Sequence, residues 1–148
     1  MSRVISLRLR DEQVARLSQI ARRFGRKPTE QLAQLVEEGL RMVEYTSIEF
    51  RDSIVGRQAY VSGSTLAVWE VVMVARSYDF DAARTADHLQ WPLARVQAAL
   101  RYAADFRTEI EIALHDNDAQ DFASLSRLLR GLRRFIVSSL QQRPGLPC

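Results

Sequence analysis

The side chains that carry covalent or metal chemistry are few and scattered. Cys148 is the only cysteine, which excludes a disulfide framework and a thiolate metal site. His88 and His115 are the only histidines and leave little for a zinc cage or a catalytic triad. His88 adjoins Leu89 and reads as a surface histidine. Asp79, Asp81 and Asp87 have the chemistry of a cation cluster, but the first two sit where a turn residue and a helix cap belong. Asp105, Glu109 and Glu111 read as acids on a helix surface. Ser62, Ser64 and Thr65 have no base near them in the sequence, and no glycine-rich phosphate loop occurs. Trp69 and Trp91 suit packing better than stacking on bases. The expectation is a protein that binds and does not catalyse, with no metal and no cofactor.

What remains is charge and its distribution. The 148 residues carry a net charge of +3, with 47% hydrophobic and 26% charged residues, the balance of a folded chain of one or two small domains. Residues 1–27 hold eight Lys/Arg against Asp11 and Glu12, and residues 122–148 hold five Arg and no acid. Two acidic blocks lie between: residues 28–52 net −4 and residues 105–121 net −5. A basic arm reads as a polyanion-binding element or as a solvated surface. The longest apolar run, Leu66 to Ala75, is interrupted by Glu70 and too short to span a bilayer. Met1 runs straight into alternating polar and apolar residues with no signal-peptide pattern, so a cytoplasmic protein is expected.

Pattern divides the chain into three parts, mainly helical. In residues 3–10, Ile5, Leu7 and Leu9 fall on one face of an extended strand and Ser6, Arg8 and Arg10 on the other. A helix follows, with Asp11 and Glu12 near its positive end and Val14, Leu17, Ile20, Ala21 and Phe24 at helical spacing, until Gly25 stops it. Pro28 suits the first turn of a second helix carrying Leu32, Leu35, Val36, Leu40 and Val43. One strand in under 50 residues has no partner and closes no core alone, so it must pair with another copy of itself.

Val4-Ile5-Ser6-Leu7-Arg8-Leu9, Asp11-Glu12 and Gly25-Arg26-Lys27-Pro28-Thr29-Glu30 resemble the ribbon-helix-helix family of DNA-binding proteins over residues 1–46. The resemblance implies an antiparallel ribbon of two strands in the major groove of double-stranded operator DNA. Val4, Ser6 and Arg8 then face base edges, Arg10 joins the DNA-binding set, and Ile5, Leu7 and Leu9 form the homodimer interface. The start of the second helix, Lys27 to Glu30, would hold a backbone phosphate. Where the family often has Ser or Thr two residues after the Gly, this chain has Lys27, and Thr29 offers a cap two residues further in.

Residues 47–114 open with extended candidates at Ile48–Phe50 and Ala59–Val61 around Gly56. A turn at Gly63-Ser64 leads to a helix over about 66–77 and another through Ala82 to Leu89. After Gln90-Trp91-Pro92 a long helix carries Val96, Ala99, Leu100, Ala103 and Phe106, the spacing of a helix-turn-helix. Gly56-Arg57, Gly63-Ser64-Thr65-Leu66-Ala67-Val68 and Ala99-Leu100-Arg101-Tyr102-Ala103 resemble a small helix-turn-helix domain family of bacterial antitoxins. Its members are usually paired with PIN-type nuclease toxins, as VapB-like antitoxins are. Thr65 and Ala67 replace the Arg and Pro of the usual turn. The low net charge of this segment favours a protein-binding or dimerising unit over a second DNA contact.

The third part, 115–148, begins with His115-Asp116-Asn117-Asp118, read as a polar hinge. An amphipathic basic helix then carries Leu125, Leu128, Leu129 and Leu132, with Arg130, Arg133 and Arg134 between them. Such a helix packs on its own domain, lies on a membrane or docks on an acidic partner. The resemblance favours docking on the toxin, with those seven residues as the contact. The expected function is thus an antitoxin that neutralises a PIN-type ribonuclease and represses its own operon. The alternative is a free-standing ribbon-helix-helix regulator with no toxin.

Overall fold

In a computed structural model, which describes residues 2–128 and side chains as far as Gln120, three helices start by one device. They are α1 (Asp11–Arg23), α2 (Pro28–Glu44) and α3 (Val68–Arg76). The preceding residues Arg10, Lys27 and Ala67 lend no capping side chain. Instead Gln13, Glu30 and Glu70, each the third helical residue, accept the backbone N–H of that preceding residue at 3.0, 3.3 and 2.7 Å. The carboxylates of Glu30 and Glu70 also meet the positive end of the helix dipole. Lys27 therefore takes the cap position, and Thr29 lies inside the first turn of α2 instead of capping it.

Gly25 closes α1 as the sequence predicts. It takes φ +63°, and Arg26 N–H reaches back to Ala21 O at 2.9 Å while Gly25 N–H meets Arg22 O at 3.1 Å. The two extended candidates form a hairpin longer than the sequence indicates: β1 (Ile48–Ser53) pairs antiparallel with β2 (Gly56–Val61), from Ile48 opposite Val61 to Ser53 opposite Gly56. Gly56, at φ +116°, gives the turn a conformation that side chains resist. Then come α4 (Ala82–Leu89), α5 (Leu93–Asp105) and α6 (Arg107–Leu128). Asp81 caps α4 through Arg84 N–H at 3.0 Å, and Gln90 ends it in the left-handed region. Asp79 occupies the preceding turn at φ +52°.

The core lies between the hairpin and α3, α5 and α6. Ile48, Val61, Val68, Val71, Val96 and Tyr102 are fully buried there, with Ile110 and Leu114 from α6 beside them. Among the described residues no helix is long and apolar enough to cross a membrane.

Residues 2–10 pair with no strand of the same chain among the described residues; the partner the sequence expects for them is a second copy. Two other expectations are corrected. The polar stretch 115–118 is no hinge: α6 passes through it, since polar residues do not break a helix that contains no glycine or proline. The long helix is instead interrupted at Phe106, where the backbone turns to φ −113°, ψ 44° between α5 and α6.

Burial of Tyr102, reinforced by the charge of Glu109, pushes its phenol above the ordinary value of about 10, with Arg41 opposing. A folded-state pKa raised above the unfolded one means that the unfolded chain loses this proton first. Stability is therefore held below about pH 10 and falls as the pH climbs beyond it. In urea titrations at pH 8 and above pH 10, the stability advantage of the native chain over Tyr102→Phe should shrink with pH. A constant advantage would mean that the phenol titrates alike in both states.

Candidate nucleic-acid interface

The amino-terminal segment alternates apolar and polar side chains, and among the described residues only Leu9 is partly covered. Ile5 is 90% and Leu7 67% exposed, Leu9 is half-buried, and Val4, Ser6, Arg8 and Arg10 are open to solvent. Beneath it, α1 and α2 pack against each other. Their joint surface leaves a cleft of about 200 Å³ lined by Leu9, Leu17, Ile20, Leu32 and Leu35. Val14, Phe24, Val36 and Leu40 are each roughly half exposed, and Val43 is 79% exposed. Exposed apolar side chains grouped in this way are common at interaction sites.

The cations of this unit stand apart from the acids. Arg3, Arg8, Arg10, Arg16, Arg22, Arg23, Arg26 and Lys27 are all exposed. Among the described residues none of them forms a salt bridge; the ion pairs involve Arg41, Arg51, Arg57, Arg107 and His115. Unpaired guanidinium and ammonium groups at this density can neutralise several phosphates at once. At the start of α2, Lys27 and Thr29 are exposed, and Pro28 contributes no N–H. The Thr29 and Glu30 amides receive no side-chain cap from Lys27, so they remain donors for an anion.

The helix pair is tied to the rest of the chain through residues that periodicity alone does not mark. Arg41 of α2 donates to Glu37, to Glu109 of α6 and to the Tyr102 hydroxyl at 2.9 Å, and its guanidinium stacks 3.8 Å from the Phe106 ring centroid. Burial works against its charge, but the bonds from Glu109, Glu37 and Tyr102 outweigh that and raise its pKa. Tyr102 also donates to Glu109 at 2.9 Å. Arg57 of the hairpin grips Glu38 of α2 through two nitrogens, at 2.8 and 2.9 Å, and this pairing raises its pKa. Tyr45 donates to Asp105, which holds its pKa up, and its ring meets Tyr102 edge-on at 5.2 Å. Glu109 and Asp105 are thus anchoring partners and not plain surface acids. Apart from Arg41–Glu37 and Tyr102–Glu109, four and seven residues apart, these contacts join partners 19 to 68 residues apart, so local spacing carries no trace of them.

The other candidates take structural places. His88 Nδ1 lies 2.9 Å from the Tyr78 hydroxyl. Trp69 Nε1 donates to Gln58 at 3.3 Å, and Trp91 packs half-buried beside Arg95. Among the described residues no three His, Cys, Asp or Glu side chains converge on a metal position. Of the expected toxin contacts, Leu125 and Leu128 fall on the last turns of α6. Leu129, Arg130, Leu132, Arg133 and Arg134 lie outside the described residues. Comparison with protein-family models, with curated proteins and with solved structures finds no match to this chain.

Proposed function

We propose that the chain is a dimeric ribbon-helix-helix repressor that binds its own operator and, as an antitoxin, neutralises a PIN-type ribonuclease. The observation that carries the first half is the uncovered alternating segment 4–9 above a helix pair whose apolar surface is also uncovered. Antiparallel pairing of two copies would bury Ile5, Leu7 and Leu9 against α1 and α2 and satisfy the backbone of the segment. The same pairing turns Val4, Ser6 and Arg8 outward, where a two-stranded ribbon fits the major groove. Arg10, Lys27 and the Thr29 amide would then hold phosphates and set the register.

Arg8→Ala should weaken binding to the specific operator by about 1–3 kcal/mol and leave random DNA almost unaffected. Lys27→Ala should weaken both and flatten the salt dependence. Titrating each variant on both DNAs at two salt concentrations separates the roles. Unchanged binding by Arg8→Ala would end the ribbon assignment.

The antitoxin half draws on the resemblance of residues 56–103 and on the arginine-rich end of the chain. A PIN-type nuclease holds its metal with clustered carboxylates. Arg130, Arg133 or Arg134 can meet such a cluster with paired hydrogen bonds while Leu125, Leu128, Leu129 and Leu132 fill a groove. Ile110 and Leu114 anchor α6 in the core, so the informative truncation falls after Leu128. That truncation should spare operator binding and weaken inhibition of a nuclease co-purified with the chain. Equal protection of RNA by the truncated chain would move inhibition to residues 47–128 and exclude Arg130, Arg133 and Arg134. Absence of any co-purifying partner would leave a free-standing regulator.

A further inference from the structure

A groove runs between the hairpin tip and α6, made of two cavities of about 410 and 350 Å³ that share Val55, Gln58, Trp69 and Ala113 as walls. Its lining passes along α6 from Thr108 to Gln120, so it follows the helix for about 18 Å. The apolar sides are open: Ile112 is 57% exposed, and Ile54 at the hairpin tip is fully exposed. The charge is acidic. Glu70, Glu109 and Asp116 line the groove, and the single cation there, Arg57, is already held by Glu38 and Asp52. Among the described residues the one ion pair of Asp116 is with exposed His115, at 3.8 Å, and Asp118 forms none.

The chain itself carries a segment of opposite character. Residues 105–121 net −5, whereas residues 129–148, outside the described residues, hold four Arg and no acid. Neither glycine nor proline occurs from Leu93 to Arg130, and Gly131 is the first residue at which the helical run can turn back. Beyond it, Leu132, Phe135, Ile136 and Val137 supply apolar side chains, and Arg133 and Arg134 supply charge. From Leu128 back to Thr108 is about 30 Å along α6, and residues 132–140 reach about 30 Å when extended. We infer that residues 132–140 fold back into this groove, as an autoinhibitory contact. Their apolar side chains cover Val55, Trp69 and Ile112, while Arg133 and Arg134 meet Asp116 and Asp118. Neither DNA nor a nuclease enters this contact. A partner that needs the same arginines must first displace them from the chain's own acids.

Energy transfer within the full chain tests the contact. Trp91→Phe leaves Trp69 as the only tryptophan, and Cys148→Ser with Ser139→Cys places one thiol in the docked segment for a dansyl acceptor. Transfer from Trp69 should be strong, lost on unfolding in guanidinium, and unchanged on dilution. Arg133→Glu with Arg134→Glu should lower the ratio of docked to undocked tail by about tenfold, the worth of two partly exposed ion pairs. Asp116→Arg with Asp118→Arg should do the same, and combining both pairs of substitutions should restore transfer. Asp116 and Asp118 are exposed, so their replacement leaves the core intact, which circular dichroism checks. Transfer no stronger than in guanidinium, or a charge swap that fails to restore it, would overturn the docking. Transfer that fades on dilution would overturn it too, because the tail would then lie on a second copy.

Discussion

Replacing Leu7 with Asp is expected to abolish the dimer and specific DNA binding together, while residues 48–114 stay folded. In the proposed ribbon, Leu7 sits between Ile5 and Leu9 on the face shared by two copies. A carboxylate there would lose its water with no cation to meet it, a cost of several kcal/mol and more than a small interface can absorb. The core around Val68, Val71, Val96 and Tyr102 draws on none of residues 2–10 and should keep its cooperative unfolding. Sedimentation, DNA titration and denaturation of one preparation measure all three effects. An intact dimer in the variant would place the interface elsewhere. The exposed face of α2 at Val36, Leu40 and Val43 would then be its candidate.

Arg41→Ala should be the costliest single truncation of a charged residue among those with described side chains. The side chain is 18% exposed, holds Glu109, Glu37 and Tyr102 together, and covers the Phe106 ring. Its removal leaves the Tyr102 hydroxyl and the Glu109 carboxylate without their shared donor and opens a gap over the ring. Breaking a fully buried pair costs about 3–5 kcal/mol, and the partial exposure of Glu109 lowers this to roughly 2–3 kcal/mol. The thermal midpoint should fall by roughly 5–10 °C. Lysine should restore little, because it has neither the flat face that stacks on Phe106 nor the fork that meets several acceptors. A loss below about 0.5 kcal/mol in urea denaturation would reduce the network to an ordinary surface pair.

Much of the fold is readable in the sequence because local rules decide it. Gly25 and Pro28 bracket the turn between α1 and α2, Gly56 sets the hairpin, and Asp81 and Pro92 mark the starts of α4 and α5. Where tertiary contacts decide, the sequence is silent or misleading. Phe106 has nothing in its own neighbourhood that ends a helix; Tyr45, Tyr102 and Arg41 surround its ring, and the break between α5 and α6 falls there. His115-Asp116-Asn117-Asp118 suggests a hinge by polarity, yet polar side chains on a solvent-facing helix need no break. The candidate interface divides along the same line. The alternation of residues 4–9 and the basic surplus of residues 1–27 are visible in one dimension. The Arg41 and Arg57 ties become visible only after distant elements meet.

The length of α6 has a geometric consequence. From Leu114, the last buried residue among the described side chains, the helix continues to Leu128, about 21 Å further at 1.5 Å per residue. Most of the side chains from His115 to Gln120 face water, so this stretch works as a spacer with an angular phase. One residue inserted after Asp118 would rotate everything beyond it by about 100° and advance it by about 1.5 Å. Four inserted residues would nearly restore the angle and lengthen the rod by about 6 Å. Any partner that engages both this helix end and the body of the chain therefore meets a vernier scale, on which angle and reach are set together by a count of residues.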